Sequence, residues 1–201
     1  MGEVQSVGQR LNAVGVLVND NPIRIRTNVG DAVIYGFEGF GDLNLKQLWF
    51  PSVEKVRLNY FVNLALTESE YVESITNSTA SDITGNEVEF VPKINLKTGV
   101  KFGYDNFLAS IQYTYVSEQF TDATNEQANS LELATGIVGP IPQYDILDIS
   151  ASYTLGKFKL EAGINNALDN SFFTRRSTGY PGPGIIPAEP RTFYTTLQFK
   201  L

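Results

Sequence analysis

Residues 93–115 read KINLKTGVKFGYDNFLASIQYTY, and apolar and polar side chains alternate along most of this stretch. Successive side chains of a β-strand point to opposite faces, so a period of two predicts strands with one apolar and one polar face. On the first strand the apolar side chains are Ile94, Leu96, Val100, Phe102 and Tyr104. Asp105-Asn106 between the two halves predicts a tight hairpin turn.

The same alternation recurs along the chain and predicts an all-β protein. Seven strands are expected, at about 32–46, 55–70, 92–104, 106–118, 144–155, 157–167 and 191–201. Residues 1–18 could add an eighth, poorly formed strand. The first of the seven is irregular, because Ile34 and Phe40 fall on its polar side.

The links between the predicted strands alternate between short and long. Tight turns are expected at 104–106 and 155–157 and a moderately short link at 46–54, whereas the links at 71–91, 119–143 and 168–190 are long. Long unstructured links are unusual in compact soluble domains, but outer-membrane barrels have short turns on one side and long loops on the other. The pattern therefore predicts an antiparallel transmembrane β-barrel meander. Its apolar face should meet lipid, an expectation that a dry interior around Leu64, Val100, Ile111 and Leu160 would refute.

Aromatic residues are expected to form two rings, one at each membrane interface, because amphipathic rings favour the headgroup level. The ring near the short turns would comprise Trp49, Phe50, Tyr104, Phe107, Tyr153, Phe158 and Phe199. The ring near the long loops would comprise Tyr71, Tyr113, Tyr115, Phe120, Phe172 and Phe193.

Composition excludes several functions. The net charge of −7 makes nucleic acid an improbable partner. The chain contains neither cysteine nor histidine, which removes disulfides, thiolate metal sites and the common nucleophile–base pairs. The acidic loops at 67–91 and 117–145 match no metal-binding spacing. We therefore expect no catalytic residues, no metal site and no cofactor, and a protein that is not an enzyme.

Three segments, in order along the chain, resemble elements of TonB-dependent outer-membrane receptors. Residues 26–31 with 35–38 resemble an R-N-x-G-x-x-x-x-G-x-E element, and 165–169 followed by Phe172-Phe173 resemble N-L-F-D-x-x-Y. Residues 190–194, PRTFY, resemble the G-R-x-F/Y start of the final strand. The loop GYPGPGIIPAEPR at 179–191 resembles the ferric-citrate-like branch. Leu201 departs from the aromatic residue with which such chains usually end.

The resemblance implies that residues 1–201 are the carboxy-terminal part of a larger barrel of about 22 strands, with the plug domain absent. An odd number of antiparallel strands cannot close a simple barrel, and no export signal is recognisable at the start, which supports a missing amino-terminal region. The implied function is import of iron chelates, siderophores or ferric-citrate-like ligands, across the outer membrane of a Gram-negative bacterium. Implied partners are membrane lipid and lipopolysaccharide, the ferric chelate, and TonB through the missing plug.

External-loop arginines are the candidate ligand contacts. Arg24 and Arg26 fall in the first loop, and Arg175 and Arg176 in the last. Guanidinium groups suit the carboxylate or phosphate groups of an anionic chelate. The alternative is that they pair with acidic loops or with lipopolysaccharide phosphates.

Two other functions fit the alternation alone. One is a passive porin or a small outer-membrane adhesin, which would be a complete barrel without a plug. The other is a soluble carbohydrate-binding β-sandwich, whose aliphatic face would be buried against a second sheet.

Overall fold

The structure is a computed structural model that describes residues 3–6, 23–26, 30–75, 82–127, 136, 138–177 and 184–201, with backbone only at 3–6, 23–26 and 177. The strands in this part of the chain are β1 (Glu3–Ser6), β2 (Ile23–Arg26), β3 (Gly30–Asn44), β4 (Val56–Ser74), β5 (Ile94–Tyr104), β6 (Phe107–Val116), β7 (Tyr144–Leu155), β8 (Phe158–Asn165), β9 (Phe173–Ser177), β10 (Gly184–Pro187) and β11 (Thr192–Phe199). One short helix, α1 (Leu45–Trp49), follows β3.

Seven strands form one antiparallel sheet in the order β11-β8-β7-β6-β5-β4-β3. Sequence neighbours are neighbours in this sheet, except that the β9–β10 hairpin intervenes between β8 and β11. The seven strands predicted from the alternation are confirmed, with shifts of a few residues at their ends. The sheet is the meander expected of a membrane β-barrel wall.

The strand register places most apolar side chains of the seven strands on a single face; the exceptions, on the other face, include Ile34, Phe40, Phe61 and Leu108. One row of directly paired residues runs Val100, Ile111, Ile149, Ile164 and Phe193. Within the described residues no second sheet covers this face, and Ile111 and Leu160 are 49% and 50% exposed. Full burial of such a side chain stabilises by about 1.5–3 kcal/mol, so this uncovered face suits an apolar environment such as lipid better than water.

The two ends of the sheet differ in the length of the loops that connect the strands. Two-residue loops join β5 to β6 and β7 to β8, and their first residues, Asp105 and Gly156, have φ of 53° and 56°. A positive φ at that position matches a type II′ turn, whose twist suits the flanking strands. The long loops all lie at the opposite end, called here the outer end.

Helix α1 occupies the link between β3 and β4 and was not predicted, because one turn of helix is too short to show a period. Asn44 caps it, its side-chain oxygen accepting a hydrogen bond of 3.1 Å from the Gln47 backbone N–H. Within the described residues, no helix has the length and apolar character needed to span a membrane.

Residues 1–18 are described only at β1, which pairs with β2, and the rest of the possible eighth strand lies outside the described residues. Other details of the expected fold were wrong. The last long link contains the β9–β10 hairpin. Tyr71 and Phe172 do not belong to an aromatic ring at the lipid interface. Tyr71 lies on the polar face with 4% exposure, and Phe172 stacks on Tyr144 at 4.6 Å between ring centroids.

A lysine at position 111 tests which face meets lipid. We expect Ile111→Lys to destabilise the folded protein in lipid vesicles by about 2–4 kcal/mol, because it places a charge in the middle of the apolar face. Gln112→Lys, one residue on, is the matched control on the polar face, opposite Asp148. Urea titration read by gel mobility without heating measures both, and equal losses would contradict the assignment of the faces.

Candidate functional site

The outer part of β4 extends beyond its partner. β5 begins at Ile94, opposite Leu66, whereas β4 continues to Ser74. Residues 82–92 run along this uncovered edge, where the Tyr71 N–H donates to the Asn86 carbonyl at 2.9 Å and the Gly85 N–H donates to the Tyr71 carbonyl at 2.8 Å. The loop thereby satisfies backbone groups that would otherwise lack partners.

The same loop also contacts the polar face of β4. The Ser69 hydroxyl oxygen accepts a bond of 3.2 Å from the Val88 N–H, and the Tyr71 hydroxyl donates to Glu89 at 2.7 Å. Tyr71 and Ile83 are both 4% exposed. The loop therefore forms a small buried cluster on the polar side of the sheet, at its outer end.

Asn125 joins the loop at 82–92 to the next long loop. Its side-chain oxygen accepts from the Glu87 N–H at 2.6 Å, and its amide donates to the Glu87 carbonyl at 2.8 Å. The Phe90 N–H donates to the Phe120 carbonyl at 2.9 Å close by. Asn125 has a φ of 53°, a conformation that asparagine tolerates better than most residues. One side chain thus reproduces a pair of strand-like hydrogen bonds between two loops.

Arg176 of β9 joins the last hairpin to the second long loop. Its guanidinium donates to the Gly136 carbonyl at 2.8 Å and to the Pro140 carbonyl at 2.7 and 3.2 Å. It also lies 4.9 Å from the centroid of the Phe173 ring. Burial lowers the pKa of Arg176 from its ordinary value. Ile141, next to Pro140, is fully buried and pairs through its backbone with Gln119.

These contacts connect three long loops into one unit, called here the loop collar (residues 82–92, 117–127, 138–143, 173–177 and 184–187). Lys93 at its base binds Glu87 at 2.6 Å, and the hydrogen bond that the lysine donates to this carboxylate raises the pKa of Lys93. At the outer end of the sheet, the loop at 82–92 of the collar contacts the polar face of β4.

Asn166 fixes the point where β8 leaves the sheet. It is 3% exposed with a φ of 51°, its side-chain oxygen accepts from the Asn170 N–H at 3.0 Å, and its amide donates to the Asn170 carbonyl at 2.9 Å. Its own N–H donates to Asp148 at 3.0 Å. Asp169 accepts from the Arg191 N–H at 3.1 Å, which ties the exit of β8 to the start of β11.

The polar face carries a shallow depression of about 360 Å³ towards the short-turn end. Two rows of directly paired residues cross it: Asn59, Lys101, Ser110, Ser150 and Gly163 in one, and Arg57, Gly103, Leu108, Ser152 and Glu161 in the other. Short side chains form its floor, and charged side chains stand at its two sides. In the described part of the chain, no three acidic residues are grouped so that they could hold a metal ion.

The sequence matches a family model described as "TonB dependent receptor-like, beta-barrel" over residues 7–167. The chain belongs to the TonB-dependent receptor β-barrel family. This membership confirms the resemblance seen in the sequence and places the chain in the outer membrane of a Gram-negative bacterium. The polar face of a TonB-dependent receptor barrel lines its interior.

Solved structures of receptors have the same fold. The unliganded ferric citrate transporter FecA is 26% identical with a TM-score of 0.71, and the match covers 84% of this chain and 24% of that one. The ferric yersiniabactin uptake receptor FyuA from Yersinia pestis is 16% identical, TM-score 0.62, over 86% of this chain and 24% of that one. The siderophore receptor PiuA from Acinetobacter baumannii is 20% identical, TM-score 0.61, over 86% of this chain and 22% of that one. The chain therefore spans about a quarter of the length of these receptors.

The four predicted arginines of this TonB-dependent receptor barrel fall in different settings. Arg24 and Arg26 lie on β2, where their backbones pair with Gln5 and Glu3. Arg175 is exposed on β9, and its neighbour Arg176 binds loop carbonyls. Consecutive strand residues point to opposite faces, which separates the two adjacent guanidinium groups.

Apart from Arg176, which was predicted as a ligand contact, the residues that hold the collar and the β8 exit in place did not stand out in the sequence. Asn125 lies in a polar loop, and nothing near it signals a partner 38 residues away. Asn166 was singled out only as part of a family motif, without a structural role. A short polar residue at a strand end or in a loop can signal a left-handed conformation, which both residues adopt.

Replacing Asn166 tests the β8 exit. We expect Asn166→Ala to destabilise the protein by about 2 kcal/mol, because it leaves buried polar groups unpaired and puts alanine at a positive φ. Asn165→Ala is the control, since Asn165 is exposed and its amide makes one bond of 3.3 Å. Urea unfolding midpoints in lipid vesicles measure the difference, and similar midpoints would show that Asn166 has no anchoring role.

Removing Arg176 tests the connection between the hairpin and the collar. Hydrogen bonds from a charged group contribute about 1.5–3 kcal/mol, so Arg176→Ala should loosen residues 136–143 without unfolding the sheet. Limited proteolysis of intact cells should cut this segment faster in Arg176→Ala than in Arg175→Ala. Equal cleavage rates in the two variants would rule out the proposed link.

Proposed function

We propose that this chain is the carboxy-terminal barrel portion of an outer-membrane receptor that imports an anionic iron chelate. Energy would come from TonB, acting through the plug domain of the receptor. Citrate-like and siderophore chelates of ferric iron are the proposed ligand class.

The likeness to FecA carries this proposal. FecA is described as a ferric citrate transporter, and the two chains are 26% identical over 84% of this one. The other receptors named above, for ferric yersiniabactin and for siderophores, point to the same class of ligand. Since this chain spans about a quarter of each, transport would need the remainder of the barrel and a plug.

The collar suits a recognition surface. Its hydrogen bonds hold three loops in fixed positions, which lowers the entropy cost of ordering them around a ligand. Arg175 is exposed on one of these loops and can donate two parallel hydrogen bonds to a carboxylate. We propose Arg24, Arg26 and Arg175 as ligand contacts, with Arg176 positioning the hairpin that carries Arg175.

We propose that membrane lipid and lipopolysaccharide contact the collar on the side that faces away from the barrel interior. Glu68 and Glu70 lie on the same face of β4 as the apolar residues and mark the level at which that face becomes charged. Carboxylates at this level are compatible with the charged headgroup layer and with divalent cations that bridge to lipopolysaccharide phosphates.

Uptake of radioactive ferric citrate by iron-starved cells tests the proposal. Cells that produce the full-length receptor as their sole ferric citrate route should accumulate iron, and disruption of TonB should abolish accumulation, because transport through a plugged barrel needs energy. A passive pore would keep its uptake without TonB. Arg175→Ala should weaken ferric citrate binding about tenfold, since one charge-assisted contact is lost.

Lys157→Ala is the matched control, because Lys157 lies in a tight turn at the opposite end of the sheet. If TonB disruption left uptake unchanged, the importer function would be wrong. If Arg175→Ala and Lys157→Ala bound ferric citrate equally well, the arginine assignment alone would be wrong.

A further inference from the structure

The depression on the polar face exists because short side chains meet there from four adjacent strands. Ser110, Ser150 and Ser152 on β6 and β7 line its floor. Leu108 of β6 lies over Gly103 of β5, 2.9 Å from where a Cβ would stand. On β8, the ring of Tyr194 from β11 lies across Gly163, where a Cβ would collide with it. The result is a recess with hydroxyl groups at its base and larger side chains around it.

The two cations at one side of the recess are held in place. The Arg57 guanidinium donates to the Asp105 carbonyl at 2.8 Å, and the Lys101 ammonium lies 4.9 Å from the centroid of the Phe61 ring. Phe61 is itself 8% exposed, so it gives Lys101 a fixed support. Both contacts use neutral partners, and the carboxylate of Asp105 lies 3.6 Å from the Lys55 ammonium.

The carboxylates nearby are already engaged. Glu161, on the far side of the recess, binds Lys159 at 2.9 Å. Asp42 on β3 accepts from the Asn59 amide at 2.8 Å. Among the described residues, no carboxylate forms an ion pair with Arg57 or Lys101. The recess therefore has a net positive charge within a chain whose net charge is −7.

We propose that this recess is a binding site for a carboxylate group. Arg57 would supply parallel N–H donors, Lys101 a point charge, and the serine hydroxyls further donors. The carboxylate would come from one of two sources: the imported chelate on its way through the barrel, or an acidic side chain of the domain that fills the interior. The first source rests on the proposed function.

Carbodiimide coupling tests the site, because it joins a lysine amine to a carboxylate held against it. Outer-membrane fragments containing the full-length receptor are treated with carbodiimide, with and without added ferric citrate, and the lysine adducts are quantified by mass spectrometry. Lys97 is the internal control. It lies on the same strand and face, about 13 Å from Lys101 and outside the recess.

We expect the adduct yield at Lys101 to exceed that at Lys97 about tenfold. A citrate adduct identifies the chelate as the source, and a cross-link to an Asp or Glu side chain identifies the protein. Arg57→Met should lower the Lys101 yield about tenfold and leave the Lys97 yield unchanged, since only the recess loses a charge-assisted contact. An unchanged Lys97 yield also shows that the variant is folded.

Equal yields at Lys101 and Lys97, in both the presence and absence of ferric citrate, would overturn the proposal even if the cells import iron. A cross-link from Lys101 to a protein carboxylate in a receptor that imports no ferric citrate would support the recess and rule out ferric citrate as the imported ligand. The two proposals can therefore fail separately.

Discussion

The pairing of every backbone polar group is the constraint on which the rest of this structure depends. In hydrocarbon an unpaired N–H or C=O costs several kcal/mol, so a strand in the membrane needs a partner on each side. Each internal strand of the sheet has two such partners, from β4 through to β8. Outward of Ile94, where β5 begins, residues 85–86 continue to bond the edge of β4 at Tyr71. The loops at the outer end therefore extend the wall that the strands build.

The membrane also requires the two faces of the sheet to differ, because one face meets lipid and the other meets the barrel interior. The polar face nevertheless contains Phe61, which breaks the alternation of β4. Its ring lies over Gly99 on β5, with ring carbons 2.8 and 2.9 Å from where a Cβ would stand. Glycine is required there by this close approach, and the aromatic residue fills the space that glycine leaves. The irregularity is thus a packing pair between neighbouring strands.

The strands, tight turns and lipid-facing side could be predicted because a period of two is a local property of the sequence. The collar could not, because its contacts join distant residues: Arg176 reaches Gly136 and Pro140, which lie 40 and 36 residues earlier. In the sequence, Arg175 and Arg176 look equivalent. In the structure, the Arg175 side chain is exposed, whereas the Arg176 guanidinium binds loop carbonyls. The motif at 165–169 was recognised only by its resemblance to a family element. Its structural role depends on the hydrogen bond that the Asp169 side chain accepts from the distant Arg191 N–H.

Each loop of the collar is hydrogen-bonded to the next. Arg176 holds Pro140, Ile141 pairs with Gln119, Phe120 accepts from Phe90, and residues 85–86 bond to β4. A typical hydrogen bond contributes about 0.5–1.5 kcal/mol net, so moving one loop away from the next would break several bonds at a combined cost of a few kcal/mol. A ligand that contacted only one loop would gain too little to separate them. The collar therefore holds the exposed side chains of its loops on a fixed frame.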